Sequence, residues 1–366
     1  MGSFHPNITL NGVSSTSVKG LIIQSLPPIS KPLQRTQIET VDGRDGDIVT
    51  PLGYAAYDKT VTVGLAGDFD IDEVIAFFDS SGTAIFSNEP DKYYRYTIVA
   101  QIDFERLLRF RTANVVFHVQ PFKFSAVGEP YYFSLDQFKG AGNLSRTVGG
   151  ISAAVSNGVI SLSGTATTGG SEIYIPIRPV ALGSGTYILR ATPTGSGAGA
   201  CQIRLISAVP VDDDSFGGAA LQLQNGAAAT LSGTLAASKT YNYLWLHFNQ
   251  GTAVSFSLDV KLLKQGVSSF SIINAGNTKA KPVYTISCTG AVTLYLNGSQ
   301  AVVLANGGDR TIRIDVEELN AYNGTTLYNR QCTGDYESLI LPVGRNTVAW
   351  SGTIYSISIE NFSRWI

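Results

Sequence analysis

The residues able to do chemistry are few and scattered. His5, His118 and His247 stand far apart, with no H-E-x-x-H run and no pair at helical spacing, so nothing assembles a hydrolytic metal. There is no G-x-S-x-G elbow and no Gly-Lys dipeptide, and the glycines of GSGAG at 195–199 are wrongly spaced for a dinucleotide fingerprint. Carboxylates are numerous; a glycosidase pair is defined by a separation of roughly 5–9 Å in the fold, which sequence spacing does not fix, so that class stays open at this point. Asp212, Asp213 and Asp214 in PVDDDSFGG offer hard oxygens on one short segment, as a calcium loop would. No second ligand run of EF-hand spacing follows, and a solvated acidic turn has the same composition. Cys201, Cys288 and Cys332 are odd in number and lack C-x-x-C spacing, which indicates neither a disulfide framework nor a zinc site. The expectation is a chain that is not an enzyme and uses no cofactor or metal.

The stretch richest in binding chemistry is YNYLWLHFNQ. Leu244, Leu246 and Phe248 alternate with Tyr241, Tyr243, Trp245 and His247, so a strand here carries one aliphatic face and one aromatic row with polar handles. Sugars stack their C–H faces on aromatic rings, while Tyr hydroxyls, indole N–H and imidazole bond ring hydroxyls; these four residues are the candidate glycan-binding site. A strand covered on both faces has the same pattern, with Trp245 as a core anchor. In ERLLRFR, Arg106, Arg109 and Arg111 read as a strand with Arg109 and Arg111 on one face, turned to nucleic acid or a partner's carboxylates, or paired in a cross-strand ladder. Trp350, alternating with Val348, reads as sandwich interior, and Trp365 as closing the last strand against that sandwich.

These residues need elements to hold them. A length of 366 residues implies about two or three domains. Charged residues make up only 15%, against about 25% in an average soluble chain, and Gly numbers 38, which excludes a disordered tail or a coiled coil. A net charge of -2 gives no global field for nucleic acid or anionic lipid. No apolar run approaches the ~18 residues of a membrane span, and MGSFHPNITLNG lacks a basic segment followed by an apolar one, so no secretion signal is expected. Charge is dense in 1–135 and sparse in 151–265, where Gly, Ala, Ser and Thr dominate, and the pattern changes again after Gln265-Gly266. The predicted units are 1–134, 135–266 and 267–366. Asn157-Gly158, Asn225-Gly226 and Asn297-Gly298 are hairpin turns between short apolar alternations, so the fold class is mainly β, sandwiches or barrels. One short helix is predicted over 71–79, from the Asp70/Glu73 capping box and the apolar spacing of Ile71, Val74, Ile75 and Phe78. DVEELNAY from Asp315 has a similar cap, but Asn323-Gly324 favours a hairpin there. Phe4, Ile8, Leu10, Ile22 and Ile23 read as edge-strand residues or as local core.

GRDGDIVTPLGYAAYDKTVTV, the capped helix and GTAIFSNEPDKYYRYTIVAQIDFERL follow in an order that resembles the N-terminal domain of the distal tail proteins of long-tailed (siphovirus) bacteriophages, with their G-x-D-G stretch, helix and F-S-x-x-P-D-x-Y-Y run. The last third, with NAGNTKAKPVYTI, LYLNGSQ, RIDVEE, YNRQCTGDYESLILPVGRNTVAWSG and YSISIENFSRWI, is similar to the C-terminal galectin-like sandwich of that family. The middle unit looks like the carbohydrate-binding modules that extended members carry. The resemblance implies an N-terminal ring-forming belt domain, an inserted module-like β-sandwich and a galectin-like β-sandwich. It also implies a homo-hexamer at the virion tail tip or baseplate, between the major tail tube protein and the tail-associated tip protein, with a receptor-binding protein nearby. Assembly would be in the host cytoplasm, and the insert would bind host cell-wall or surface polysaccharide. A free-standing carbohydrate-binding protein without a ring role is the alternative.

Overall fold

A computed structural model describes residues 5–78, 81–126, 131–134, 138, 144–156, 159–167, 171–209, 215–360 and 363–366. The chain is mainly β, and its buried apolar residues fall into three clusters. Among the described residues no helix is long and apolar enough to cross a membrane.

The first cluster lies on an antiparallel sheet in which Val13–Ser14, Ile8–Leu10, Ser81–Phe86, Lys92–Thr97, Thr112–Ser125, Tyr57–Leu65 and Leu21–Ser25 follow one another. Period-two alternation fixes the register: Ala113, Val115, Phe117 and Val119 face the core together. Ile8, Leu10 and Ile23 are buried there and Ile22 is exposed, while Phe4 lies outside the described residues. Helix α1 (Ile71–Phe77) starts where the sequence places it, with the Asp70 carboxylate accepting from the backbone N–H of Asp72 and Glu73 at 2.9 and 3.4 Å. It ends two residues before the expected boundary, and it buries Val74 and Phe77 while Ile75 faces out.

The sequence reading missed a second helix. Residues Phe104–Phe110 form α2, capped by Asp103, and Arg111 ends it in the left-handed region, so ERLLRFR is not a strand. Arg109 pairs with Glu105 at 2.7 Å, one helical turn away, in place of any cross-strand ladder. Only Leu107 is buried on this helix, so no apolar period marks it.

The second cluster fills a two-sheet sandwich. One sheet has six strands, in the order Leu144–Val148, Ile151–Ser156, Val159–Thr165, Ala253–Lys264, Gly185–Ser196 and Ala229–Leu235. The other has four: Ser171–Leu182, Lys239–Phe248, Cys201–Ile206 and Leu221–Gln222. Asn225-Gly226 forms a tight turn between the bridged Gln224 and Ala227, and Asn157-Gly158 lies outside the described residues.

The third cluster belongs to a nine-stranded sheet built on the 17-residue strand Gly344–Glu360. Along one edge that strand pairs with Val283–Leu296. Along the other it pairs with Tyr131–Ser134 at residues 356–359 and with Ser269–Asn274 at residues 344–349. The chain therefore contributes one strand to this sheet before entering the middle sandwich and returns beside it afterwards. The compositional joint at 135 falls just past that strand, so by pairing 131–134 sit with the last unit and not the first. Phe133 and Phe270, from the two sides of the middle sandwich, stack at 4.9 Å and both meet Trp350. Asn297 and Gly298, both at positive φ, make the two-residue turn expected of them; the expected second hairpin also forms, but Asn323 ends its strand opposite Thr326 and the two-residue loop is Gly324-Thr325, with Gly324 at positive φ.

Two junctions tie the units together. Arg190 of the middle sandwich donates to both carboxylate oxygens of Asp309 at 3.0 and 3.1 Å, and the Tyr355 hydroxyl donates to the same carboxylate at 2.8 Å. At the other junction, Trp365 does not close the last sandwich. Arg364–Trp365 pairs with Phe124 and Lys123 of the first sheet, and the Lys92 ammonium sits 3.7 Å from the centre of the indole ring. Arg364 is buried against Phe122 and Phe124, donating to the Lys281 carbonyl and to Glu317. Gly276 lies so close that a Cβ there would fall 1.9 Å from the Arg364 carbonyl oxygen. Backbone cannot yield as a flexible side chain does. Gly276→Ala is expected to cost about 1–3 kcal/mol and to speed amide hydrogen exchange at 112–125 and 363–366 ahead of the middle sandwich; equal protection in both variants would refute this account.

Candidate functional site

Strand Lys239–Phe248 lies inside the four-stranded sheet, between Ser171–Leu182 and Cys201–Ile206. Leu244, Leu246 and Phe248 point into the sandwich, as the alternation requires. Tyr243, Trp245 and His247 occupy the opposite face, and the structure brings these three together. Tyr241 does not join them: it is fully buried in the sandwich core, edge-on to Phe216 at 6.1 Å. The cause is a register shift in the neighbouring strand, where Pro176 faces Tyr243 but Val180, four residues on, faces Tyr241. Both strands change side-chain parity across that irregularity, so Tyr241 turns inward with Val180.

The neighbouring strands complete the outer face. Directly opposite Trp245 are Tyr174 on one side and Arg204 on the other; directly opposite His247 are Glu172 and Gln202, with Gln222 beyond Gln202. These five residues carried no local sequence signal, because each reaches the site only through long-range pairing. The imidazole of His247 stacks on the indole at 5.5 Å with the planes 18° apart, and the Arg204 guanidinium lies 5.4 Å from the indole centre. The Tyr174 hydroxyl donates to Glu172 at 3.0 Å. Gln202 donates to the side-chain oxygen of Gln222 at 3.0 Å, and Gln222 donates in turn to the carbonyls of Gly199 and Cys201. Trp245 is only 5% exposed, so its ring is held inside this polar frame and is not a bare stacking surface. The face offers hydrogen-bonding groups at its rim more than an open aromatic plane.

A second group of ionisable residues sits in the first unit, and it is structural. Lys59 and Lys123 are buried, and so are most of Tyr94 and Glu89. Lys59 lies in register with Val61 and Val63, so its stem enters the core and its ammonium donates to the Pro28 carbonyl at 3.0 Å over the Tyr94 ring. Lys123 meets Glu89 at 2.8 Å, and Glu89 also accepts from the Tyr94 hydroxyl. Burial pushes the Lys59 ammonium below its usual range. The Tyr57 hydroxyl is pushed up to about 12 by burial and then by the Glu89 charge, and Tyr94 is raised by burial and by its bond to Glu89. The F-S-x-x-P-D-x-Y-Y run supplies Phe86, Glu89 and Tyr94 of this cluster. Its Ser87 and Asn88 fix the turn by accepting from Asn7 N–H at 2.9 Å and donating to the Pro27 carbonyl at 2.9 Å.

The remaining candidates are dispersed. His118 faces Asp58 at 2.8 Å on the first sheet, and His5 is exposed at the start of the described chain. Cys201, Cys288 and Cys332 are free and buried, with the thiols of Cys201 and Cys332 pushed up by burial, Cys332 to about 11. Among the described residues no group of three or more His, Cys, Asp or Glu is placed to hold a metal ion; Asp212, Asp213 and Asp214 lie outside them.

No family model matches the chain, and no curated relative matches it. Among solved structures it is similar to the SPP1 Dit (gp 19.1) protein, described as a paradigm of hub adsorption apparatus in phages infecting Gram-positive hosts. The TM-score is 0.27 and the identity 13%, over 71% of this chain and 98% of that one. It is also similar to a chain of the phage P2 baseplate in its activated conformation with Ca, at TM-score 0.37 and 11% identity over 97% of both chains. The corresponding structure with Sr matches at 0.36 and 11% over 98% of both.

Proposed function

We propose that this chain is a structural hub of a siphovirus tail tip. Its first unit closes a homo-hexameric ring between the tail tube protein and the tip and receptor-binding proteins, and its middle sandwich adds affinity for host cell-surface saccharide. The observation that carries the ring is an arm. Gln34–Thr40 and Asp47–Tyr54 pair only with each other, in a two-stranded sheet separate from every other sheet among the described residues. Every residue of the first strand is exposed, and Ile38 and Val49 stand directly opposite each other at 61% and 56% exposure. A lone two-stranded hairpin is marginal in water, and an exposed apolar pair across one gains from a partner surface.

The G-x-D-G stretch that carries the resemblance to distal tail proteins is the tip of this arm. Gly43 and Gly46 take positive φ there, and Glu39, Asp42, Asp45 and Asp47 make the tip acidic. On the same unit α2 presents Arg106, and Arg109 paired with Glu105, beside exposed Leu108 and Phe110, and Arg111 follows at its C-cap over the Phe69 ring. Two different, complementary patches on one subunit suit a head-to-tail contact, which closes into a ring when the rotation allows.

Light scattering with negative-stain imaging tests this. The expected species is near six times 39.0 kDa with a central hole, and a paired Ile38→Glu, Val49→Glu variant is expected to fall to the single-chain mass with unchanged circular dichroism. A wild-type chain that stays monomeric even with tail tube and tip proteins added would overturn the ring. For the saccharide role, Trp245→Ala in a chain that still folds is expected to lose binding to host envelope glycan. Undiminished cell-wall binding by that folded variant would remove Tyr243, Trp245 and His247, together with the buried Tyr241, from the account.

A further inference from the structure

We propose that the outer face of the four-stranded sheet recognises a saccharide bearing an anionic group, carboxylate or phosphate, which seats at the corner formed by Arg204, Trp245 and Gln202. The proposal rests on the saccharide reading of the middle sandwich and assigns the ligand's chemistry. Three buried polar atoms on this one face have no hydrogen-bond partner among the described residues: Trp245 Nε1, Arg204 Nε and His247 Nδ1. Native interiors pair nearly all such atoms, so three orphans on Arg204, its cross-strand neighbour Trp245 and His247 two residues along the same strand mark a place where a ligand completes the network. Trp245, which carries one of them, is more than nine-tenths buried.

The chemistry of the orphans selects the complement. Indole and guanidinium nitrogens donate and never accept, so at least two of the three call for acceptor oxygens. Arg204 has no carboxylate partner among the described residues, and it holds its charge against the indole face. A guanidinium in that position bonds an oxyanion far more strongly than a neutral hydroxyl. The opposite corner has the reverse polarity. Glu172, one row along and two strands from Arg204, already accepts from Tyr174 and repels a second anion. The spacing between those strands is roughly 10 Å. The face thus has one anion-seating end and one end that accepts from hydroxyls, with the fixed amides of Gln202 and Gln222 alongside. A saccharide with a single acidic substituent matches that gradient; a uniformly neutral one leaves the guanidinium unanswered.

The test is titration calorimetry of the full-length chain, at fixed salt, against polygalacturonate, poly(glycerol phosphate) and neutral dextran. At least one anionic polymer is expected to bind about tenfold or more tightly than dextran, and the better of the two identifies carboxylate or phosphate as the acid. Arg204→Gln is expected to weaken that binding by about tenfold, the usual scale for one charge-assisted bond. Trp245→Phe, which keeps a ring and removes the N–H, is expected to weaken it by a few-fold. Both variants should retain the wild-type far-ultraviolet dichroism and a single cooperative melting transition. Dextran binding equal to that of the anionic polymers would overturn the anion assignment while leaving the saccharide reading in place. Anionic binding untouched by Arg204→Gln would overturn the site. Binding of none of the three would overturn both.

Discussion

The strand Gly344–Glu360 is the constraint on which the rest of the chain depends. One edge carries Val283–Leu296 along most of its length, and the other is divided between Tyr131–Ser134 and Ser269–Asn274. The middle sandwich can exist as an insert only because its two ends are held side by side on that edge. Phe133 stacked on Phe270 closes the seam with apolar contact as well as ladder bonds. Tyr355, on the same strand, shares the Asp309 carboxylate with Arg190 of the insert, and the chain beyond the strand runs on to Arg364 and the first sheet. A single long strand thus fixes where the other two units begin and end.

This arrangement ties the units together unequally. The insert is tied by one charged junction whose members keep some access to water, Asp309 more than Arg190, and such pairs are individually weak. The C-terminal return is tied by a ladder, by a buried arginine between aromatic rings, and by a glycine that admits no side chain. The junction between the first and last units therefore combines strand pairing with burial, whereas that of the insert rests on polar side chains. In a ring, the bonded pair would carry symmetry and stiffness, and the insert would carry contact with whatever lies outside. Repetition around such a ring would multiply weak single-site contacts without any of them having to be tight.

Much of this was legible in the sequence, and the limits are physical. Alternation and Asn-Gly pairs disclose strands and turns because both are local: Asn297-Gly298 needs no distant partner to demand positive φ. The cap of α1 is local too. Helix α2 was hidden because it buries Leu107 alone, and the two-residue spacing of Arg109 and Arg111 imitates a strand. The destinations of Tyr131–Ser134 and Trp365 were hidden because four residues, or two, carry no mark of which sheet they will join. At the site, the strand and its outward Tyr243, Trp245 and His247 could be read from parity. The inward turn of Tyr241 could not, since it comes from an irregularity in the facing strand.

The same reasoning separates what an aromatic strand offers from what its neighbours make of it. Read alone, Trp245 is a flat apolar ring suited to any sugar. In the sheet it is framed by His247 on its own strand, Arg204 on one neighbour and Tyr174 on the other, and its ring is almost wholly taken up by the protein. What remains is directional: donors at one corner and a carboxylate at the other. Stacking tolerates many ligands because every sugar has an apolar face, whereas unpaired donors discriminate, because a ligand that leaves them unmet gains nothing for the water it displaces. If the face binds the anionic saccharide proposed for it, specificity would therefore reside in Arg204, Gln202 and Glu172, on strands that the Lys239–Phe248 sequence does not contain.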